Sequence, residues 1–245
     1  MKSLNYIFLL CLAACNTSSE HRHGVQEHYH GYIPARIAVL PCLPWPDTLR
    51  SSQRGLISAP QKDIAKLCHE LNKYVLKGFE SQPYLKGYTP QVVQKLLTKS
   101  KKPRHLDLLE EVWHYKNKEK IIQTSSFLQL YNDDISLRAP WIEWLETFSK
   151  STRHADTILL PMIASLDESE EEQRGILSFK KKSEILLWLI DTNNGKLIWS
   201  GSRKSAIIRY AKKDETSPEK PTWEQLHTRL LVKTLWKDFP GRFIN

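Results

Sequence analysis

Three predicted strands separated by turn signals lie in the last third of the chain, and this pattern constrains the fold more than any other feature. The strands are predicted at 156–166, about 175–190 and 196–210. The connection at 191–195 (Asp-Thr-Asn-Asn-Gly) ends in Asn-Gly, which tolerates the positive φ angles of a tight hairpin. The connection at 167–172 is rich in Asp and Glu, and we predict a charged loop there. These features together predict a three-stranded antiparallel meander.

A buried strand and several amphipathic helices are predicted upstream and downstream of the meander. Residues 36–41 (Arg-Ile-Ala-Val-Leu-Pro) form a short apolar run that ends in proline, typical of a strand buried on both faces. A short extended piece is predicted at 82–88. The fold class predicted from this order is α+β, a mixed sheet with the meander at its C-terminal end and helices packed on it. Apolar residues recur at helical spacing in 61–79, 90–97, 105–122, 141–150 and 223–236.

The amino terminus has the features of a secretory signal. Lys2 supplies a positive charge, and an apolar run at 4–14 follows that is broken only by Asn5. This run is shorter than the roughly 20 residues that cross a bilayer as a helix. It closes with Leu-Ala-Ala-Cys at 12–15, which resembles the bacterial lipobox, whereas Cys11 has no small residues before it. An uncleaved anchor helix or an ordinary signal peptide is the alternative interpretation.

The resemblance to a lipobox implies that Cys15 becomes a lipid-bearing amino terminus carrying diacylglycerol and a fatty acid such as palmitate. Two or three acyl chains make a stable anchor. Asn16 is not the aspartate that typically retains such lipoproteins at the inner membrane, so we expect the periplasmic side of the outer membrane. We divide the chain into a signal peptide at 1–14, a lipidated flexible tether at 15–33, and a single α/β domain at 34–245 with a basic helical insertion near 100–140.

The net charge is basic. It is +9 for the whole chain, and it becomes +8 once Lys2 leaves with the signal peptide. A basic balance suits anionic neighbours such as lipid headgroups, lipopolysaccharide phosphates or an acidic protein face. Nucleic acid is not expected as a partner, because an exported protein would meet none.

Two cysteines remain once Cys11 is removed and Cys15 is acylated. Cys42 follows a predicted strand and Cys68 lies in the next predicted helix. Disulfides persist in exported compartments, and a βα unit can bring two such positions close together. The pair can therefore form a disulfide, and two buried thiols that act as small hydrophobes are the alternative.

Three segments together resemble one group of envelope proteins. They are 36–41, 155–160 (Ala-Asp-Thr-Ile-Leu-Leu) and 189–200, in which an Asp-x-x-x-Gly turn precedes an apolar-Trp-Ser strand. The order and spacing are similar to those of the TolB amino-terminal domain, the curli-secretion lipoproteins and the penicillin-binding-protein activator lipoproteins. The resemblance implies a binding or scaffolding role in an envelope assembly or transport system. It brings no catalytic residues.

Two features are candidates for a partner surface. Trp45 is held between two prolines, and tryptophans on rigid supports are favoured anchors at interfaces, although a ring folded back onto the sheet is the commoner outcome. The basic stretch with Lys101, Lys102 and Arg104 suits anionic headgroups, lipopolysaccharide or an envelope protein, although a solvated helix face is the commoner outcome.

No motif for catalysis or for a cofactor is present in the sequence. Ser178 and Lys181 match Ser-x-x-Lys, but they fall on a predicted strand instead of at the start of a helix. We therefore expect no enzymatic activity, no cofactor and no metal site. A hydrolase or modifying enzyme of the envelope without a recognisable motif is one alternative. A metal-binding protein that uses the histidines at 21, 23, 28 and 30 is the other.

Overall fold

A computed structural model gives the fold of most of the chain. The residues that it describes are 17–25, 29, 31–44, 61–80, 86–99, 131, 139–152, 155–212 and 218–241.

One mixed, seven-stranded sheet forms the centre of the described structure. Its order is β1-β7-β6-β5-β2-β4, and β3 pairs with β5. β5, β6 and β7 are consecutive antiparallel neighbours, whereas β2 runs parallel to both β4 and β5. The mixed sheet with a C-terminal meander is the predicted α+β fold, which is confirmed. The strands are β1 (Thr17–Val25), β2 (Arg36–Val39), β3 (Leu43–Pro44), β4 (Lys86–Tyr88), β5 (Thr157–Gln173), β6 (Ile176–Asp191) and β7 (Leu197–Lys212).

Four α-helices are described around the sheet. The predicted closing helix is shorter than expected, because it ends at Leu230 and a 3₁₀ turn at Lys233–Trp236 follows. The helix predicted at 105–122 lies outside the described residues. Among the helices that the structure describes, none is both long enough and apolar enough to cross a membrane. The helices are α1 (Gln61–Glu80), α2 (Pro90–Lys99), α3 (Ala139–Ser151) and α4 (Trp223–Leu230).

Helices cover both faces of the sheet, so the domain has two hydrophobic cores. Successive side chains of a strand point to opposite faces. Ala38 of β2 therefore packs with α2 and α3, whereas Ile37 and Val39 pack with α1 and α4. All three side chains are fully buried, which agrees with the prediction of a strand covered on both faces.

Both hairpins of the meander turn at residues with positive φ. Gly195 has a φ of 69° and donates its amide to the carbonyl of Asp191, as the Asn-Gly signal predicts. Arg174 and Gly175 have φ angles of 53° and 76° and join β5 to β6 in a two-residue turn. Two positive φ angles in succession match the twist of a β-hairpin. The prediction of an acidic loop at 167–172 is therefore wrong, since β5 continues to Gln173.

The segment predicted to be a flexible tether also differs from expectation. Thr17–Val25 forms β1, which pairs with β7 along its whole length. Its polar sequence has no apolar period that would predict a strand. Without β1, however, β7 would be an edge strand with unpaired amide and carbonyl groups, and the backbone of any sequence can pair with these. The histidines at 21 and 23 therefore lie in a strand, opposite Arg203 and Gly201.

Candidate interaction surface

The part of the meander around the turn at 174–175 forms a three-stranded arm. We define the arm as residues 167–173, 176–183 and 205–212, from β5, β6 and β7. Its alternating burial shows that one face is covered and the other is open. Phe179, Lys181 and Ser183 are buried, for example, whereas their neighbours along β6 are partly exposed.

Ion pairs and aromatic rings hold the C-terminal part of the chain on the covered face. The ammonium of Lys181 lies 2.5 Å from a carboxylate oxygen of Glu168 and 4.4 Å from the centre of the Trp223 ring. Lys220 repeats this arrangement, 2.9 Å from Glu170 and 4.5 Å from the ring centre of Phe179. A charge that is buried beside a carboxylate and an aromatic face is stabilised by both. The part of the covered face around Phe179 and Lys181 therefore belongs to the folded core, whereas Lys220 and Glu170 remain 54% and 51% exposed.

The start of α4 is fixed by its own sequence. Thr222 accepts a hydrogen bond from the amide of Gln225, and the Gln225 side chain accepts one from the amide of Thr222. This reciprocal capping box satisfies donors that a helix leaves free at its first turn. It places Trp223 over the arm, directly after the cap.

The open face carries apolar, aromatic and basic side chains. Directly opposite residues on two strands share a face, and Ile176 faces Lys212 while Lys180 faces Ile208. Tyr210 is 46% exposed and Ile176 is 40% exposed. We define the open face by these residues of the arm: Ile176, Lys180, Ile208, Tyr210 and Lys212.

Acidic side chains on the same side of the arm belong to β5. Asp167 lies 2.7 Å from Lys182, its directly opposite partner on β6. Glu171 also lies on this side, opposite Ser178. Among the three strands of the arm, β5 lies furthest from β1, and β1 pairs with β7 only as far as Ile207.

At the other end of the same strands, a cluster of tyrosines and aspartates joins the three segments that carry the family resemblance. Asp156 accepts hydrogen bonds from the amides of Ala35 and Arg36, at 2.7 and 3.0 Å. The amide of Thr192, in the hairpin turn, donates to the carbonyl of Asp156 at 3.0 Å. The segments at 36–41, 155–160 and 189–200 therefore meet at one point, and Asp156 has a structural role there.

Two tyrosines close this cluster. The hydroxyl of Tyr29 donates to Asp191 at 3.2 Å, and that of Tyr32 donates to Asp156 at 3.4 Å. Burial raises the pKa of both tyrosines, and the neighbouring carboxylates add to this effect. Both hydroxyls stay protonated at neutral pH, so they act as donors that hold the segment before β2 against the sheet.

Two of the cysteines are bonded to each other in the structure. Cys42 and Cys68 form a disulfide between the end of β2 and α1. The amide of Cys42 also donates to the side chain of Asn72 at 3.2 Å. Of the two alternatives left open by the sequence, the structure therefore contains the disulfide.

Several predicted site residues lie outside the described residues. In the described part of the chain, no group of three or more His, Cys, Asp or Glu side chains is placed to hold a metal ion. Ser178 and Lys181 point to opposite faces of β6, so the Ser-x-x-Lys match does not bring its two side chains together. The residues outside the description are Cys15, His28, His30, Trp45, Lys101, Lys102 and Arg104.

The sequence did contain a signal for the arm. Two acid–lysine pairs, Asp167 with Lys182 and Glu168 with Lys181, lie at equal distances from the turn at 174–175 and face each other in the hairpin. Opposite charges placed symmetrically about a turn favour cross-strand pairing. No comparable signal marked Tyr29 and Tyr32, since their partners are more than 120 residues away.

Comparison with known proteins gives only distant similarities. The chain matches no family model and no curated protein. Among solved structures, it is similar to the PelC dodecamer of Paraburkholderia phytofirmans, with 10% identity, a TM-score of 0.36, and coverage of 89% of this chain and 95% of that one. It is also similar to lipoprotein GNA1162 of Neisseria meningitidis, with 14% identity, a TM-score of 0.39, and coverage of 81% and 96%. The hypothetical protein CT253 of Chlamydia trachomatis has 10% identity, a TM-score of 0.33, and coverage of 81% and 91%. At these identities and TM-scores, the similarities carry no argument about function.

Proposed function

We propose that this chain is a lipoprotein of the bacterial outer membrane, on the periplasmic side, and that its domain is a non-enzymatic binding or scaffolding module. The observation that carries the proposal is the Leu-Ala-Ala-Cys sequence at 12–15 after an apolar run too short to span a bilayer. A lipid on Cys15 then holds the domain at a membrane without a spanning segment.

Two structural features support this location. The disulfide between Cys42 and Cys68 suits an exported compartment, because cytosolic thiols are kept reduced. β1 begins at Thr17, two residues after Cys15, and it is part of the central sheet. The lipid is therefore attached close to the folded domain.

The polar clusters that the structure describes support binding over catalysis. Asp156 is occupied by two backbone amides, and Lys181 is enclosed by Glu168 and Trp223. Groups used in this way stabilise the fold. We propose another envelope protein as the partner of Trp45. We propose anionic lipid or lipopolysaccharide as the partner of the basic stretch that contains Lys101, Lys102 and Arg104.

Acylation is tested by a matched pair of cysteine substitutions in the full chain. Cys15→Ser should abolish fatty-acid incorporation and release the protein from the membrane fraction, whereas Cys11→Ser should leave both unchanged. The measurement is intact mass together with radiolabelled palmitate in cells. Fatty acid on the Cys15→Ser protein, or wild-type protein that keeps Met1 and carries no lipid, would remove the proposal.

The partner is tested by photo-cross-linking in the native envelope. A photoreactive residue at position 45 should yield adducts with one envelope protein. The control is the same residue at position 146, because Glu146 is exposed on the outer side of α3. Identical adducts at both positions, or monomer alone, would contradict a role for Trp45 in binding.

A further inference from the structure

The pairing of β1 with β7 fixes where the amino end of the domain emerges. Thr17 lies opposite Ile207, and Val25 lies opposite Trp199. The amino end of β1, at Thr17, therefore lies beside the arm, and its carboxyl end, at Val25, lies beside the start of β7. Cys15 precedes Thr17 by two residues, which span at most about 7 Å. The attachment point of the lipid is thus within that reach of the arm.

The open face of the arm begins next to the amino end of β1. Ile208, Tyr210 and Lys212 follow Ile207 on β7, and a strand rises about 3.4 Å per residue, so Lys212 is roughly 17 Å further along. A bilayer that holds acyl chains attached to Cys15 is therefore close to these side chains. The other face of the arm is covered in part, because Trp223 and Lys220 contact it.

The chemistry of the open face suits a membrane surface. Tyrosine is enriched at membrane interfaces, where its ring and its hydroxyl meet environments of different polarity. Lysines can lay their methylene groups on apolar surface while their ammonium groups reach headgroup phosphates. Tyr210, Ile176 and Ile208 supply the apolar part of this surface, and Lys180 and Lys212 supply the charges.

We propose that the open face of the arm lies on the phospholipid bilayer that holds the lipid anchor, and that its lysines bind anionic headgroups. The proposal rests on the acylation of Cys15 proposed above. It makes the arm a second membrane contact that orients the domain, so that α1 and the covered face point away from the bilayer.

The test uses the acylated full-length protein in vesicles of phosphatidylethanolamine and phosphatidylglycerol. Benzoylphenylalanine replaces Tyr210, a conservative change at an exposed aromatic position, and irradiation is followed by mass spectrometry. Lipid adducts are expected at position 210. They should be absent at position 73, since Lys73 lies on α1 with its side chain 61% exposed.

The outcomes of this experiment distinguish failure of the arm proposal from failure of the lipoprotein proposal. Acylated, vesicle-bound protein without lipid adducts at 210, or with adducts only to a second protein chain, overturns the arm proposal and leaves the lipoprotein proposal intact. Protein without fatty acid in the same spectra overturns the lipoprotein proposal. An equal yield of adducts in vesicles of phosphatidylcholine alone overturns the assignment to anionic headgroups.

Discussion

The disulfide between Cys42 and Cys68 gives a stability prediction with a magnitude. The two residues are 26 positions apart in sequence, and both pack against the core formed with α1 and α4. Closing a loop of that length removes about 12 cal/mol/K of entropy from the unfolded chain, or about 3.5 kcal/mol at 25 °C. The Cys42→Ala/Cys68→Ala variant should therefore lose about 3.5 kcal/mol in its free energy of unfolding.

Urea unfolding followed by tryptophan fluorescence measures this loss. The variant should also show a larger m value, because an unfolded chain without the cross-link exposes more surface. In a thermal scan, the same loss lowers Tm by roughly 7–14 °C for a domain of this size. Reducing agent should destabilise the wild type to a similar extent, and it should leave the variant unchanged.

A small loss in the free energy of unfolding would contradict a major contribution from loop closure. A loss below about 1 kcal/mol is outside what loop closure of this length gives. An unchanged m value, together with a large loss, would place the effect in the packing of the folded state instead of in the unfolded chain.

Three further predictions concern single side chains. Asp156→Ala should cost about 2–3 kcal/mol in urea unfolding, because two backbone amides lose a charged acceptor, and Asp156→Asn should cost less. Gly201→Ala should cost about 1–3 kcal/mol by the same assay, since the new Cβ would lie 2.5 Å from the ring of Trp199 and 2.8 Å from the carbonyl oxygen of Leu235; no measurable cost would show that this region can shift. Burial is the main reason that the pKa of the His227 imidazole lies below its usual 6.5. The folded state therefore favours the neutral imidazole, and the stability that results is present above pH 6.5 and is lost as the pH falls below that value. Unfolding measured from about pH 7 to about pH 5 should show that this dependence is weaker in His227→Phe, and parallel curves for the two proteins would contradict it.

The central sheet was predictable because its signals are local. Residues 37–40 form an uninterrupted apolar run, and the structure buries Ile37, Ala38, Val39 and Leu40 completely. Asn-Gly at 194–195 marks a turn by its backbone preference alone, and Gly195 has the positive φ that the pattern implies. Signals of this kind need no knowledge of distant residues.

The strands that were not predicted depend on partners elsewhere in the chain. Asp and Glu are depleted in strands, so 167–172 has the composition of a loop until the lysines of β6 are placed opposite. β1 has no apolar period, and its pairing uses backbone groups that every sequence possesses. The open face has the same origin, because it requires the register between β6 and β7.

The antiparallel ladder between β1 and β7 has a mechanical consequence. Its hydrogen bonds lie perpendicular to the strands and extend over nine residues. A tension applied at Thr17 along the strand axis therefore loads these bonds together, in shear, and does not open them one after another. Separating β1 from β7 by a pull at the amino end should therefore need a larger force than peeling the two strands apart one bond at a time.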